Sequence, residues 1–292
     1  MPIEPTRKIQ KQGKRLGISY SWSDTYYRKK KTCGRNKGKI GKLIQTDSVI
    51  LRGVNMRILP QNPDSKTPLQ SGSHRWLAQD CLLCSATSTT ELLCAACAAD
   101  LPHLPALGCP RCALPTPNGE ICGRCLNHAP HYDAARATYR YDFPLDKLVQ
   151  SFKYGHRLAL GGYFGRQLAT LGKPLADLII PMPLHPNRLR ERGFNQALEL
   201  ARPLRAQWGI PIDKLSCRRT RDTPAQADLP WRERAKNIRG AFHCAADLSG
   251  KRIILIDDVM TTGATLDECA RTLKLHGADT VSMLVVARTL PK

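Results

Sequence analysis

The chain has 292 residues, enough for one to three domains, and 42% of them are hydrophobic, so a sizeable core can form. The formal net charge is +21, and residues 1–72 carry +12 of it through 16 lysines and arginines against 4 acids. No window reaches the ~18–20 apolar residues of a membrane span, and no continuous apolar stretch follows the basic N-terminus. These features argue against a membrane-spanning or secreted protein, and we expect a cytoplasmic location.

Residues 1–75 are predicted to be a basic, disordered tail. This part contains YYRKKKTCGRNKGKIGK and lacks sustained apolar periodicity, so it buries too little apolar area to offset its ordering entropy. A basic tail can bind nucleic acid non-specifically. The interpretation that we favour is a solvated leader, or an upstream stretch that is not normally translated, since Met56 could start a shorter product.

Four CxxC pairs follow, and we predict a double zinc ribbon over 76–130. The pattern C-x2-C-x9-C-x2-C occurs twice, 28 residues apart, which indicates a duplicated unit. Two such turns complete a tetrahedral four-thiolate site with no open position for water, so each zinc would be structural. The candidate ligands are Cys81, Cys84, Cys94, Cys97, Cys109, Cys112, Cys122 and Cys125.

Other interpretations of the cysteines are weaker. A disulfide framework would suit a secreted protein, and a redox CxxC would need a βαβ context. The default ligation is sequential, with one zinc for the first four cysteines and one for the last four. The alternative is interleaved ligation, in which the first CxxC pair shares a zinc with the third and the second shares a zinc with the fourth. Cys269, outside the repeat, lies in a helical pattern and is expected to be a core thiol.

Residues 131–292 alternate strand and helix patterns. This alternation predicts a parallel sheet with helices on both faces, and the ligand crevice of such a sheet lies beyond the carboxyl ends of its strands. The helix pattern over 195–209 is expected to be interrupted by Pro203 and to stop at Gly209. The predicted strands cover 135–142, 176–184, 251–258 and 280–289, and the predicted helices cover 144–154, 195–209 and 264–277.

The stretch IILIDDVMTTGAT, residues 253–265, places two acids before a loop suited to anions. The N–H groups at a helix N-terminus are unpaired, threonine hydroxyls add donors, and a glycine lets the backbone approach a phosphate. Asp257 and Asp258 would accept hydrogen bonds from the hydroxyls of a sugar attached to that phosphate. A ribose 5-phosphate carries both groups, hydroxyls for the acid pair and a phosphate for the loop. GxxxxGK[ST] and GxGxxG are absent, which argues against a P-loop and a dinucleotide site.

This stretch resembles the phosphoribosyl pyrophosphate (PRPP) signature of type I phosphoribosyltransferases. The resemblance implies an α/β fold of that type, with a parallel sheet flanked by helices. It also implies that Asp257 and Asp258 contact the ribose hydroxyls. The phosphate would be bound by Thr261, Thr262, Gly263, Ala264 and Thr265.

Further segments resemble the ComF/GntX family, which carries cysteine-rich zinc knuckles ahead of a transferase-like domain. They are FKYGHR, PMPLHPNRLRERGFNQA and TRDTPAQADLPWRERAKNIRGAF, and the resemblance spans 76–292. It implies a pyrophosphate-binding loop at Pro181, Met182 and Pro183. It also implies that 217–240 is a flexible loop that closes over the site, and its length and polarity agree with a lid.

Three arginines follow the proposed pyrophosphate loop. Arg188, Arg190 and Arg192 alternate along the chain next to Gly193, which predicts a loop rather than one helix face. A guanidinium fork is a natural partner for a diphosphate, and a solvated arginine run is the alternative. Asn195 is expected to cap the next helix.

The resemblance implies Mg²⁺-dependent phosphoribosyl transfer from PRPP to a nitrogen acceptor, in DNA uptake or nucleotide salvage. Mg²⁺ would bind mainly the diphosphate and ribose oxygens. No catalytic side chain is assigned. One alternative is a non-catalytic accessory that binds single-stranded DNA or competence proteins through the ribbons and the basic surface. The ribbons contain no aromatic residue between 81 and 125, which makes a base-stacking platform there a poor expectation. A zinc-organised interaction protein without a ligand is the third hypothesis.

Overall fold

The computed structural model describes residues 79–88, 91–222 and 237–291. The predicted tail over 1–75 and the stretch 223–236 of the predicted lid lie outside these residues. The strands are β1 Gln79–Asp80, β2 Thr87–Ser88, β3 Ala134–Arg140, β4 Leu178–Pro181, β5 Cys217–Arg219, β6 Phe242–Cys244, β7 Arg252–Met260 and β8 Thr280–Arg288. The helices are α1 Ala95–Ala99, α2 Gly123–Asn127, α3 Leu145–Tyr154, α4 Ala159–Ala169, α5 Pro186–Arg192, α6 Gln196–Trp208 and α7 Ala264–Leu275.

A four-stranded parallel sheet forms the centre of the fold, in the order β3-β8-β7-β4. The two middle strands are nine residues long and consist largely of buried apolar residues, as expected of strands covered on both faces. Successive side chains of β7 point to opposite faces, so Ile254 and Ile256 join one core while Ile253 and Leu255 join the other. The predicted parallel sheet with helices on both faces is confirmed.

The two cores lie on opposite sides of the sheet. The buried apolar residues of α3, α4 and α6 belong to the first core, except Ala197 of α6, which joins the buried apolar residues of α7 in the second. Each half of the cysteine repeat joins a different core. Cys81 and Cys97 lie in the first core together with Leu93, and Cys109 and Cys125 lie in the second. The two halves of the repeat are therefore not equivalent in the folded chain.

Three details differ from the sequence predictions. Pro203 does not interrupt its helix, because α6 runs without a break from Gln196 to Trp208, and it ends at Gly209 as predicted. Residues 217–219, predicted to begin a loop, form β5, which pairs antiparallel with β6. Strand β7 also extends two residues beyond the acid pair, to Met260.

None of the helices within the described ranges is both long enough and apolar enough to cross a membrane.

Candidate functional site

The acid pair lies near the carboxyl end of β7, in the middle of the sheet. Asp258 is 6% exposed, and its backbone N–H donates a 2.9 Å hydrogen bond to Oδ1 of Asp257. Both carboxylates line one cavity of about 260 Å³. The rule that a parallel sheet binds ligands beyond its carboxyl ends therefore agrees with the observed position.

Lys153, at the end of α3, forms an ion pair with Asp258. Its Nζ lies 2.7 Å from Oδ1 of the carboxylate, and both side chains are largely buried. Burial works to lower the pKa of Lys153, but attraction to Asp258 outweighs it and the pKa is raised. Sequence reasoning assigned this lysine no role. Lys153 lies in the segment FKYGHR, but nothing in that segment predicts an ion pair with an acid more than a hundred residues away.

Asp257 is held in a different electrostatic state. Burial, and then the neighbouring Asp258 carboxylate, raise the pKa of Asp257 to about 7, and Lys153 acts in the opposite direction. The Asp257 carboxyl group therefore gains or loses its proton close to neutral pH. A carboxyl group poised in this way can accept a hydrogen bond from a ligand hydroxyl once it is ionised.

Gly263 forms the sharp turn between β7 and α7. Its φ is +85°, a conformation that side chains rarely adopt, and it is the N-cap residue of α7. A Cβ atom added there would lie 2.8 Å from Cε of Met260. The backbone angle therefore favours glycine at this position, and a larger residue would also displace the flexible end of the Met260 side chain.

The rest of the predicted phosphate loop also lines the cavity, from Thr261 to Thr265. The buried Thr262 hydroxyl accepts a 3.0 Å hydrogen bond from the backbone N–H of Ala264, so this hydroxyl shapes the loop. The first N–H groups of a helix have no partner inside the helix, and its dipole adds positive potential. The segment therefore has the chemistry of an anion site.

The arginine segment is a helix, not the predicted loop. Pro186 begins α5, His185 caps it through Nδ1, and Gly193 ends it in the left-handed conformation. Arg188 and Arg192 are four positions apart, which places both on one helix face, and both line the cavity. Sequence reasoning missed this helix because it is short and highly charged.

The remaining pyrophosphate-side candidates are divided. Met182 lines the cavity, whereas Pro181 and Pro183 are not among its lining residues. Arg190 is exposed, donates to the side chain of Asn187 and is likewise absent from the lining. Asn195 caps α6 as predicted and also donates a 3.1 Å hydrogen bond to the carbonyl of Met182.

A further cavity arginine comes from β5. Arg219 lines the cavity with Arg188 and Arg192, and its guanidinium lies 5.9 Å from the ring centre of Phe242. Burial, followed by repulsion from Arg188, lowers the pKa of Arg219. Three guanidinium groups thus face one cavity. The sequence signal that could have identified Arg219 as a cavity residue is its position at the start of 217–240, the segment predicted to close over the site.

The eight repeat cysteines form two sets of four, and the four Sγ atoms of each set lie within 4.8 Å of one another. The first set is Cys81, Cys84, Cys94 and Cys97, and the second is Cys109, Cys112, Cys122 and Cys125. Two Sγ pairs are 3.7 and 3.5 Å apart. A zinc–sulfur bond of 2.3 Å gives tetrahedral S···S edges of about 3.8 Å, so the spacing fits zinc. The sets are sequential, as in the default interpretation, and Cys269 is a fully buried core thiol.

Comparison with known proteins agrees with this layout. A double zinc ribbon domain matches residues 74–126, and a phosphoribosyl transferase domain matches 192–290. DNA utilization protein YhgH of Salmonella typhi is 34% identical over 207 residues, which cover 68% of this chain and 91% of that protein. The chain belongs to the ComF/GntX family. Competence protein F of Haemophilus influenzae is 31% identical, covering 58% of this chain and 79% of that protein.

Two more matches are distant. Competence protein ComFC of Bacillus subtilis is 28% identical over 68% of this chain and 85% of that protein. The solved allosteric regulatory enzyme of purine biosynthesis is 19% identical over 47% of this chain and 29% of that chain, with a TM-score of 0.33. The two domain matches over 74–126 and 192–290 show that this ComF/GntX protein combines a double zinc ribbon with a phosphoribosyltransferase-like domain.

Proposed function

We propose that this ComF/GntX protein binds PRPP or a related 5-phosphoribosyl ligand and transfers the phosphoribosyl group to a nitrogen acceptor. One observation carries the proposal: a single cavity contains the acid pair, the phosphate loop and three arginines. Asp257 and Asp258 would accept the ribose hydroxyls, and residues 261–265 would donate to the 5-phosphate. Arg188, Arg192 and Arg219 would neutralise the diphosphate.

In the proposed reaction, the bond from the anomeric carbon to the diphosphate oxygen breaks, and a bond from that carbon to the acceptor nitrogen forms. The diphosphate leaves with the bonding electron pair, so the ribose carries positive charge in between. The acceptor nitrogen releases its proton to solvent. The residues around the cavity supply positioning and charge, with no covalent intermediate. In this proposal the acid pair would stabilise that positive charge.

Mg²⁺ would bind together with the diphosphate. Among the described residues that line the cavity, two carry carboxylates, Asp257 and Asp258, and Asp258 is already paired with Lys153. This set is weak for a cation that prefers near-octahedral oxygen ligands and usually shares substrate phosphates. The cavity residues therefore fit a metal ion whose coordination shell is completed by oxygens of the bound diphosphate. When bound, Mg²⁺ would neutralise charge on the leaving diphosphate.

The test is calorimetry with ribose 5-phosphate and with PRPP, each with and without Mg²⁺. Asp257→Asn keeps the shape but loses charge, so we expect ribose 5-phosphate to bind about ten- to a hundredfold more weakly, the equivalent of roughly 1.5–3 kcal/mol. The matched control is Asp267→Asn, because Asp267 contacts His131 outside the cavity. It should bind within about twofold of wild type.

Mg²⁺ is expected to strengthen PRPP binding and to change ribose 5-phosphate binding little. If wild type and Asp257→Asn bind ribose 5-phosphate with equal affinity, the acid pair is not the ribose site. The proposal would then be rejected.

A second candidate function is favoured by the names of the relatives, which refer to DNA utilization and to competence. In this alternative the protein is a non-catalytic accessory that binds single-stranded DNA through its ribbons and basic surface. Such binding depends on phosphate contacts and should fall steeply with salt. Asp257→Asn should leave it nearly unchanged, so the same variant separates the two candidates.

A further inference from the structure

The second half of the cysteine repeat, residues 109–125 (hereafter the second ribbon), is hydrogen-bonded to the phosphate loop through Arg288. This arginine ends β8 and is 1% exposed. Its Nε donates a 2.8 Å bond to the carbonyl of Cys112, and its Nη1 donates a 2.9 Å bond to that of Met260 and a further bond to that of Thr261. One guanidinium thus joins a metal-ligating knuckle to the start of the loop.

Arg124 makes a second connection. It lies in α2, two residues after Cys122, and its Nη2 donates a 2.7 Å hydrogen bond to the carbonyl of Thr262. Three successive carbonyls, those of Met260, Thr261 and Thr262, therefore accept from two arginines on the ribbon side of the loop.

These contacts orient the donors of the loop. A trans peptide is planar, so its N–H points away from its C=O. The carbonyl of Thr261 shares a peptide with the N–H of Thr262, and the carbonyl of Thr262 shares one with the N–H of Gly263. Fixing the carbonyls toward the arginines therefore fixes these N–H groups on the opposite side.

The buried charge of Arg288 needs compensation. Taking a guanidinium out of water costs several kcal/mol unless its donors and its charge are satisfied. Four thiolates around one Zn²⁺ would carry a net charge of about −2, and Arg288 donates to the backbone carbonyl of one of these ligands, Cys112, whose thiol is also an electrostatic neighbour of the guanidinium. The metal set of the second ribbon is thus the natural counter-charge for this arginine.

The first ribbon, residues 81–97, offers no equivalent. Shifted by the 28-residue repeat, Arg124 corresponds to Ala96, since CAAC stands where the second ribbon has CGRC. The first ribbon also packs in a different place from the second. Its cysteines instead join the core on the other face of the sheet.

We propose that Arg124 and Arg288 are positioning residues, which hold the phosphate loop in its binding conformation against the second ribbon. Ligand binding then depends on the second ribbon, whereas the first ribbon supports the fold alone. The ligand part of this inference rests on the proposed function. The loop conformation can be measured without any ligand.

The primary test is hydrogen–deuterium exchange of residues 261–265 in the full chain. Arg124→Gln should raise exchange in this segment about tenfold, leave zinc content unchanged and weaken ribose 5-phosphate binding about tenfold. Arg111→Gln, in the same ribbon, is the control and should leave exchange at the wild-type level. Arg288→Lys, which cannot reach all the carbonyls, should act like Arg124→Gln.

A second comparison uses the repeat. Cys94→Ser and Cys122→Ser alter equivalent ligands of the two ribbons, and only Cys122→Ser should raise loop exchange. Wild-type exchange in both Arg124→Gln and Cys122→Ser would overturn the inference, even if Arg288→Lys fails to fold. Failure of wild type to bind ribose 5-phosphate would instead reject the proposed function, while the exchange data would still decide the positioning role.

Discussion

At the scale of single residues, the cavity concentrates charge in one group of side chains, of which Asp258 is buried and the others are half-buried. Lys153 and the two acids are in electrostatic contact, and three arginines face them from other elements. A chain selected for stability alone would gain little from burying this set, because each desolvated charge has a cost. The proposed function accounts for this cost as preorganisation for a ligand that carries both hydroxyl and phosphate groups.

The pKa of Asp257 gives a prediction about stability. In the folded protein the pKa is about 7, above the ordinary value of about 3.9, so the folded state holds a proton that the unfolded state releases. Wild type should therefore lose stability as pH rises from about 4 to about 7. Asp257→Asn does not titrate, so its Tm should exceed that of wild type by several degrees at pH 8 and by much less at pH 5.

Thermal unfolding of both proteins across this pH range measures the difference directly. Each pair is compared at the same pH, because zinc loss in acid affects both proteins alike. A Tm difference that does not change between pH 5 and pH 8 would contradict the raised pKa.

Gly263 supports a second prediction at this scale. Gly263→Ala adds a Cβ 2.8 Å from Met260 Cε at a φ of +85°, so we expect both a lower Tm and at least tenfold weaker ribose 5-phosphate binding. Gly250→Ala is the matched control, since Gly250 has a φ of +70° and open space around it. It should lower Tm without weakening binding in calorimetry. Unaltered affinity in folded Gly263→Ala would argue against a phosphate at this turn.

At the scale of elements, the strongly patterned segments were predictable and the weakly patterned ones were not. Continuous apolar runs predict strands β7 and β8, and helical spacing of apolar residues predicts α7. The place of the acid pair at the end of such a run predicts that it lies at the edge of the sheet. Helix α4 was missed because its glycines look like helix breakers. A Cβ at Gly161 would lie 2.7 Å from Glu199, and one at Gly165 would lie 2.7 Å from Pro203, so these glycines allow α4 to pack closely against α6.

The site was predictable only where its residues are close together in sequence. The acid pair and the loop lie within nine residues, and their chemistry can be inferred from that stretch alone. Lys153, Arg219 and Arg288 reach the same region from α3, β5 and β8. Their convergence is a product of the sheet order, which no local pattern encodes.

Helix α5 gives a prediction about ligand discrimination. Arg188 faces the cavity and Arg190 does not, so Arg188→Gln should weaken PRPP binding about tenfold while changing ribose 5-phosphate binding less than twofold. Arg190→Gln is the control on the same helix. Calorimetry with both ligands measures this selectivity. Equal losses for the two variants, or for the two ligands, would mean that α5 does not bind the diphosphate.

At the scale of the whole molecule, the ribbons are part of both cores rather than a separate appendage. One cysteine set packs in the core with α3, α4 and α6, and the other packs in the core with α7. Metal binding to such ligands contributes directly to folding free energy. The stability of the transferase-like domain should therefore depend on the ribbons.

We expect two zinc ions per chain, because the chain supplies two complete four-thiolate sets. Elemental analysis measures this number, and removal of zinc with a chelator should lower the Tm of the whole cooperative transition. Purified protein that contains no zinc and has all eight thiols in disulfides would contradict the prediction. A chelator-treated protein with unchanged Tm would show that the ribbons do not stabilise the shared cores.

The central claim, that the acid pair and the loop form a 5-phosphoribosyl site, is tested most directly by a crystal structure with ribose 5-phosphate. We predict that the phosphate oxygens lie within hydrogen-bond distance of the backbone N–H groups of residues 262–265. We also predict that the ribose hydroxyls contact the carboxylates of Asp257 and Asp258. A saturating ligand bound elsewhere, or a cavity that stays empty at saturating concentration, would contradict the account.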